Sequence, residues 1–429
     1  MIQTVENIGE KLVSMLTYDA SQPLIFSSGL FLFLFAGFLF FYGFTRRAPM
    51  ARIVYVILFS LYFYYKSSGI YFLLLVFASV SDYWIAHAIY KVRTQRAKYW
   101  LVGLSVLVNL GMLGYFKYTN FLIEIANNLF GQGFLNFQNI FLPVGISFFV
   151  FQSMSYTIDI CRGQLKPLNN WADYLFYLSF FPQLVAGPIV RAKDFIPQIR
   201  QNPLRVTREM FGMGVFLILI GLFKKAVISD YISLNFVDRI FDEPLLYSGF
   251  ECLMGIYGYA LQIYCDFSGY SDMAIGIALL LGFRFPKNFD APYKSATITE
   301  FWRRWHISLS TWLRDYLYIS LGGNRKGRIR TYFNLLVTML LGGLWHGAAV
   351  RFILWGALHG IALALHKLWL SVVPGSKATG AEMRWFWRIP GIFFTFNLVC
   401  FGWLMFRAES MKTVQLMLHQ IFTNFNPSV

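Results

Sequence analysis

Charged side chains are scarce in this sequence of 429 residues, and their scarcity decides the class of protein. Asp, Glu, Lys and Arg make up 14% of the chain, whereas 57% of the residues are hydrophobic. A soluble domain of ordinary composition carries about 25% charged residues, which excludes a typical water-soluble fold. We therefore expect an integral membrane protein, with the lipid bilayer among its partners.

Motifs of several common enzyme and metal-site classes are also missing. The four cysteines, Cys161, Cys252, Cys265 and Cys400, lack C-x-x-C or zinc-type spacing, so we predict neither a disulfide framework nor a metal site. There is no G-x-S-x-G elbow, Walker A loop, G-x-G-x-x-G or H-E-x-x-H. A serine hydrolase and an ATP-driven pump are therefore unsupported.

The net charge of +16 follows the pattern of a membrane topology and not that of a nucleic-acid surface. Lys and Arg stand in short clusters between apolar stretches, as the positive-inside rule predicts for cytoplasmic loops. A first apolar stretch near 24–44 is followed at once by Arg46, Arg47 and Arg52, so we predict that the N-terminus lies outside. The other basic clusters are Lys91–Lys98, Arg191–Arg208 and Arg325–Arg330, and the acidic stretch Asp230–Glu243 is predicted outside.

A helix needs about 20 mostly apolar residues to span a bilayer, and about ten stretches approach this length. The stretch 172–190 contains Pro182 and Gly187, and the charge pattern requires it to enter and leave on the same side. The segment 301–317 lies between Lys294 and Arg325 and has the same requirement. The sequence thus predicts an all-α fold with roughly ten to twelve transmembrane and re-entrant helices.

Two histidines lead the candidates for chemistry, because ionisable groups within a membrane are costly and tend to be functional. If 301–317 is one helix, His306 shares its apolar face with Trp302 and Leu309 and points inward. The alternative is a core histidine with a satisfied hydrogen bond. We expect packing or interfacial roles for His87, His359, His366 and His419.

His346 lies in the run Leu341-Gly-Gly-Leu-Trp-His-Gly347, where glycines remove side-chain bulk and would let a substrate approach. An apolar setting lowers the pKa of a histidine and keeps it neutral, as a general base requires. We predict that His346 takes a proton from an attacking hydroxyl. A packing role remains the alternative.

The run Trp302–Tyr318 mixes aromatic and cationic side chains in a way that could hold an anionic acyl donor such as a nucleotide thioester. An interfacial amphipathic helix with snorkelling arginines explains the same pattern. Our candidate substrate contacts are Trp302, Arg303, Arg304, Trp305, Arg314, Asp266 and Trp345.

Five segments together resemble a known family. The chain reads Thr299-Glu-Phe-Trp-Arg-Arg-Trp-His-Ile-Ser-Leu-Ser-Thr-Trp-Leu-Arg-Asp-Tyr-Leu-Tyr318, and four further runs keep the family's order. The sequence is similar to the membrane-bound O-acyltransferases of the alginate O-acetylation type over about residues 25–370. The further runs are Leu142–Phe148, Phe181–Pro188, Tyr264–Gly276 and Leu344–Gly347.

The resemblance implies a bacterial inner-membrane acetyltransferase whose helices surround a central funnel. It gives His346 the family's catalytic position and His306 its second polar position. It also implies an acetyl-CoA donor from the cytoplasm with no bound cofactor, a polysaccharide acceptor outside such as alginate, and an extracytoplasmic partner of the SGNH type. We expect one domain over 25–429 after an extension over 1–24. D-alanyl transfer to teichoic acid and a non-catalytic polysaccharide or lipid pore are the alternatives.

Overall fold

The regular structure of the chain is helical. A computed structural model describes residues 10, 11, 13–45, 47–185, 187–201, 204–376 and 379–427, and no strand occurs among them. The all-α prediction is confirmed. The predicted extension over 1–24 and the basic cluster at Arg46 lie partly outside the described residues, and the boundary at residue 25 stays a prediction.

The helices are α1 (Gly29–Tyr42), α2 (Pro49–Ser68), α3 (Phe72–Lys91), α4 (Gln95–Leu113), α5 (Thr119–Phe130), α6 (Ile146–Cys161), α7 (Trp171–Ser179), α8 (Phe181–Leu184), α9 (Ala192–Ile199), α10 (Arg208–Asp242, with two π-helical segments), α11 (Gly249–Leu280), α12 (Ile298–Arg304), α13 (Ile307–Trp312), α14 (Arg328–His346), α15 (Val350–Val372), α16 (Trp385–Arg407) and α17 (Met411–Thr423).

Several helices have the length and composition of membrane spans. Within the described residues, five helical runs are long and apolar enough to cross a bilayer. The protein is therefore a multi-pass membrane protein, as its composition predicted. The runs are Pro49–Lys91, Gln95–Phe130, Arg208–Asp242, Val350–Val372 and Trp385–Arg407.

The described residues pack into two compact units, of which the first comprises those of Met1–Ile218 and Met273–Phe285. Its interior holds a carboxylate on α3, because Asp82 is completely buried. The carboxylate accepts hydrogen bonds from Ser105 Oγ at 2.7 Å, Asn109 Nδ2 at 2.6 Å and Ser153 Oγ at 2.5 Å. These donors lie on α4 and α6, so one buried carboxyl group links three helices.

The short helices α7 and α8 of this unit occupy the stretch predicted to be re-entrant. The helical structure breaks at Phe180, and Pro182 stands in the first turn of α8. Both helices are almost entirely buried. The predicted break of 172–190 is confirmed.

The second unit comprises Leu219–Asp272 and the described residues of Pro286–Val429. Helices α14 and α15 pack closely in it, and α16 packs on α15. Small residues make this approach possible, because a Cβ on Gly356 of α15 would overlap the carbonyl oxygen of Met339 on α14. The long apolar run predicted over 331–370 is therefore a pair of helices that meet at Gly347–Ala349.

Candidate active site

His306 lies at a break between two helices, and the prediction of one continuous helix over 301–317 is wrong. Helix α12 ends at Arg304 and α13 begins at Ile307. His306 itself has a φ of 42°, a left-handed conformation that is uncommon for residues other than glycine. Its side chain is 1% exposed and thus points inward, as the apolar pattern predicted.

Asn288 holds this break in place, although sequence reasoning did not identify it as a site residue. Its backbone oxygen accepts from Ile307 N at 2.9 Å, and its side-chain Oδ1 accepts from Ser308 N at 3.2 Å. The same Oδ1 lies 3.2 Å from Nδ1 of His306. Eighteen residues separate Asn288 from His306, so no local pattern could have indicated the pair.

Aromatic rings surround the buried imidazole. Phe267 meets it edge to face with 4.6 Å between ring centroids, and Phe289 stacks on it at 6.4 Å. The ring of Trp345 lies at 6.3 Å. Nε2 of His306 has no hydrogen-bond partner among the described residues. A buried polar atom in this state needs an explanation, and a substrate group or water is the usual one.

His346 is the last residue of α14 and is half-buried. The ring centroids of Trp355 and Phe406 each lie 5.1 Å from that of His346, in edge-to-face geometry. Trp345 lies beside both imidazoles, with its ring centroid 4.9 Å from that of His346 and 6.3 Å from that of His306. The structure therefore brings together His306 and His346, which are 40 positions apart in the sequence.

The glycines around His346 do not leave space for a substrate, and this part of the sequence interpretation is wrong. A Cβ on Gly343 would overlap the carbonyl oxygen of Phe352, and one on Gly347 would overlap the ring of Phe352. A Cβ on Gly342 would lie 3.2 Å from Leu313. Gly343 and Gly347 allow α14 and the start of α15 to pack, so the space beside these two glycines is filled by Phe352 and not by substrate.

A second group of buried ring nitrogens lies beside this pair of histidines. His359, for which we predicted a packing role, is completely buried, and its ring centre lies 4.8 Å from Trp355 and 5.2 Å from Trp302. Neither nitrogen of His359 has a hydrogen-bond partner among the described residues, and the same holds for Nε1 of Trp302 and of Trp355. Trp305, another predicted contact, is buried between Phe301 and Trp403.

The predicted cationic contacts are mostly engaged with carboxylates. Arg304 pairs with Glu300 at 2.9 Å and approaches Asp290 at 3.8 Å. A hydrogen bond from Lys287 lowers the pKa of Asp290, and the charges of Lys287 and Arg304 lower it further. This loop is a local ion-pair network rather than an open anion site.

The remaining predicted contacts are charged side chains that are exposed or paired. Arg314 is exposed and bonds to its neighbour Asp315 at 2.6 Å, while Arg303 is exposed. Asp266 forms an ion pair with Lys225 at 2.6 Å. The rings described around the two imidazoles are those of Phe267, Phe289, Trp345, Trp355 and Phe406, and Trp345 is the predicted contact among them.

This arrangement suits proton transfer next to a small neutral group. Imidazoles exchange protons near neutral pH. The aromatic walls exclude water, which would otherwise compete with an acceptor hydroxyl for the acyl group. The indole N–H groups of Trp302 and Trp355 can donate to a carbonyl oxygen. A hydroxyl that attacks an acyl carbonyl would find both a proton acceptor and hydrogen-bond donors here.

Comparison with known proteins gives a consistent result. A sequence model described as MBOAT, membrane-bound O-acyltransferase family, matches residues 164–409. The chain is 44% identical to a probable alginate O-acetylase of Azotobacter vinelandii, over 93% of this chain and 78% of the relative. It is 37% identical to a peptidoglycan O-acetyltransferase of Helicobacter pylori, over 91% and 78%. Identity to a teichoic acid D-alanyltransferase of Streptococcus thermophilus is 31%, over 74% and 77%.

Proposed function

Because the chain belongs to the membrane-bound O-acyltransferase family, we propose that it moves acetyl groups from cytoplasmic acetyl-CoA to an acceptor outside the membrane. The final product in this proposal is an O-acetylated extracytoplasmic polysaccharide such as alginate. Relatives named as acetylases are 37–44% identical, whereas the D-alanyltransferase is 31% identical, which favours acetyl over D-alanyl transfer.

The reaction we propose is direct transfer with His346 as general base. A nitrogen of His346 accepts the proton of the acceptor hydroxyl while the hydroxyl oxygen forms a bond to the thioester carbonyl carbon. The carbon–sulfur bond then breaks, and the thiolate leaves and takes up the proton. His306 positions the substrate beside this base.

The observation that carries this proposal is the meeting of His306 and His346 at Trp345, within walls of Phe and Trp rings. A non-catalytic pore for a polysaccharide would need a polar, hydrated lining. The rings that contact His306 are instead Phe267, Phe289 and Trp345. A pair of imidazoles among aromatic rings therefore favours an enzyme over a non-catalytic pore.

The proposal also covers location and partner. We place the protein in a bacterial inner membrane with its N-terminus outside, because the basic clusters after the first apolar stretch favour a cytoplasmic loop there. The acetyl group would pass to an extracytoplasmic acetyltransferase of the SGNH type, which would deliver it to the polymer. The resemblance described above supports this partner.

The test is transfer of label by purified protein in proteoliposomes. We expect consumption of acetyl-labelled acetyl-CoA and appearance of label on an added polysaccharide or partner serine, and transfer about 10²–10⁴-fold slower with His346→Gln. A D-alanyl thioester supplied in a parallel reaction should not be used. Use of the D-alanyl donor alone, or equal transfer by the variant, would overturn the proposal.

A further inference from the structure

We infer that Asn288 is a positioning residue that fixes the protonation pattern of His306, so that Nε2 of His306 accepts a hydrogen bond from an N–H or O–H group of bound substrate. This inference rests on the proposed function, since it assigns a task within the same site.

The first step is the orientation of the Asn288 amide. The backbone N–H of Ser308 points to one of its two side-chain atoms at 3.2 Å, and the Ser308 hydroxyl donates to the same atom at 2.9 Å. A backbone N–H can only donate, so the atom it meets is the amide oxygen. The amide nitrogen then bonds to Ser271 Oγ at 3.0 Å on the other side.

The second step is the tautomer of the imidazole. Nδ1 of His306 lies 3.2 Å from this oxygen, and an amide oxygen only accepts. The Ser308 hydroxyl also lies 3.5 Å from Nδ1, but it donates to the amide oxygen at the shorter distance of 2.9 Å. Nδ1 therefore donates to that oxygen and carries the hydrogen. In a neutral imidazole Nε2 then carries the lone pair, and this is the buried atom without a partner among the described residues. A lone pair cannot donate to a carbonyl oxygen, but it can accept from an amide or a hydroxyl.

The third step is the backbone conformation of His306. The φ of 42° costs energy, and such strain persists where the surroundings enforce it, often at functional sites. Asn288 enforces it here through the two bonds to the backbone N–H groups of Ile307 and Ser308. One residue thus fixes both the direction in which the ring leaves the backbone and the nitrogen that carries the hydrogen.

Two substrate groups have the required chemistry. The acyl donor contains amide N–H groups in its pantetheine arm, and the acceptor contains the hydroxyl that is acylated. Loss of the bond to a donor amide would raise the KM for acetyl-CoA. Loss of the bond to the attacking hydroxyl would lower kcat instead.

The decisive experiment reads the tautomer without reference to activity. In protein labelled with ¹⁵N-histidine, the imidazole signal that disappears in His306→Gln identifies His306. We expect it to show a protonated Nδ1 and an unprotonated Nε2 in the wild type, and to lose this pattern in Asn288→Leu. A signal with hydrogen on Nε2 in the wild type would overturn the inference, even if acetyl transfer occurs.

Kinetics give the second readout. We expect Asn288→Leu to lower kcat/KM by about tenfold, the effect of about one lost hydrogen bond. Asn288→Asp keeps the acceptor oxygen and should restore the rate at high pH. Because a carboxylate stabilises the charged imidazolium, the acidic limb of its pH–rate profile should move to higher pH.

Asn397 supplies a matched control. Its Oδ1 also accepts one side-chain hydrogen bond, from Tyr257 at 2.7 Å, but it has no described contact with His306. Asn397→Leu should leave the pH profile unchanged. If Asn288→Leu and Asn397→Leu have the same effect on kcat/KM, and Asn288→Asp does not shift the profile, Asn288 has only a structural role and the inference fails.

Discussion

Alanine at Gly356 should force apart the two helices that carry and support His346. The added Cβ would overlap the carbonyl oxygen of Met339 and lie 3.0 Å from Cα of Leu340. Both atoms belong to the backbone of α14, so no side-chain rotation can relieve the overlap. Overpacking costs about 1–3 kcal/mol, and this contact belongs at the upper end. Alanine's better helix propensity returns about 1 kcal/mol, which leaves a net loss of stability of about 2 kcal/mol.

Gly103 on α4 is the matched control, because nothing lies within 4 Å of a Cβ placed there. Gly103→Ala should gain about 0.5–1 kcal/mol from helix propensity alone. The assay is unfolding of the purified variants in mixed detergent micelles, with acetyl transfer measured in parallel. We expect opposite signs for the two substitutions, and lower transfer by Gly356→Ala alone. If Gly356→Ala is as stable as wild type, the close packing of α14 and α15 does not hold.

Three further predictions concern the site and the topology. His346→Gln should lower the rate of acetyl transfer by about 10²–10⁴-fold, the usual effect of losing a general base, and a folded variant with full activity would refute this role. The double variant His306→Gln/His346→Gln should be about as slow as the slower single variant, since groups acting in one step are non-additive; multiplicative losses would show independent roles. A tag at the N-terminus should react with a membrane-impermeant reagent on intact spheroplasts, and protection there would contradict the topology.

The sequence predicted the helical class and the burial of His306, but not the form of the segment around it. Apolar residues on both sides of His306 predict its burial whether or not the helix is continuous. The break depends on Asn288, whose hydrogen bonds replace those that a continuous helix would make. Such a contact has no signature in the local pattern, because each residue alone is compatible with several structures.

The glycines and arginines show a second limit of sequence reasoning. A glycine beside a histidine has the same appearance whether the space it leaves is filled by substrate or by Phe352. Likewise, Arg304 and Arg314 have the same charge whether they are free to bind an anion or paired with Glu300 and Asp315. In both cases the distinction depends on neighbours that only the packed helices define.

The carboxylate of Asp82 has a consequence for the synthesis of the chain. An aspartate at the centre of a membrane helix costs about 2.5–3.5 kcal/mol on insertion, and Asp82 stands near the middle of α3. Two of its donors, Ser105 and Asn109, arrive with the next helix, but Ser153 follows 71 residues after Asp82. At about 5–20 residues per second, α3 must wait several seconds on the ribosome before its last donor is made. During that interval α3 depends on α4 to stay in the lipid, so the two helices should leave the insertion machinery as a pair.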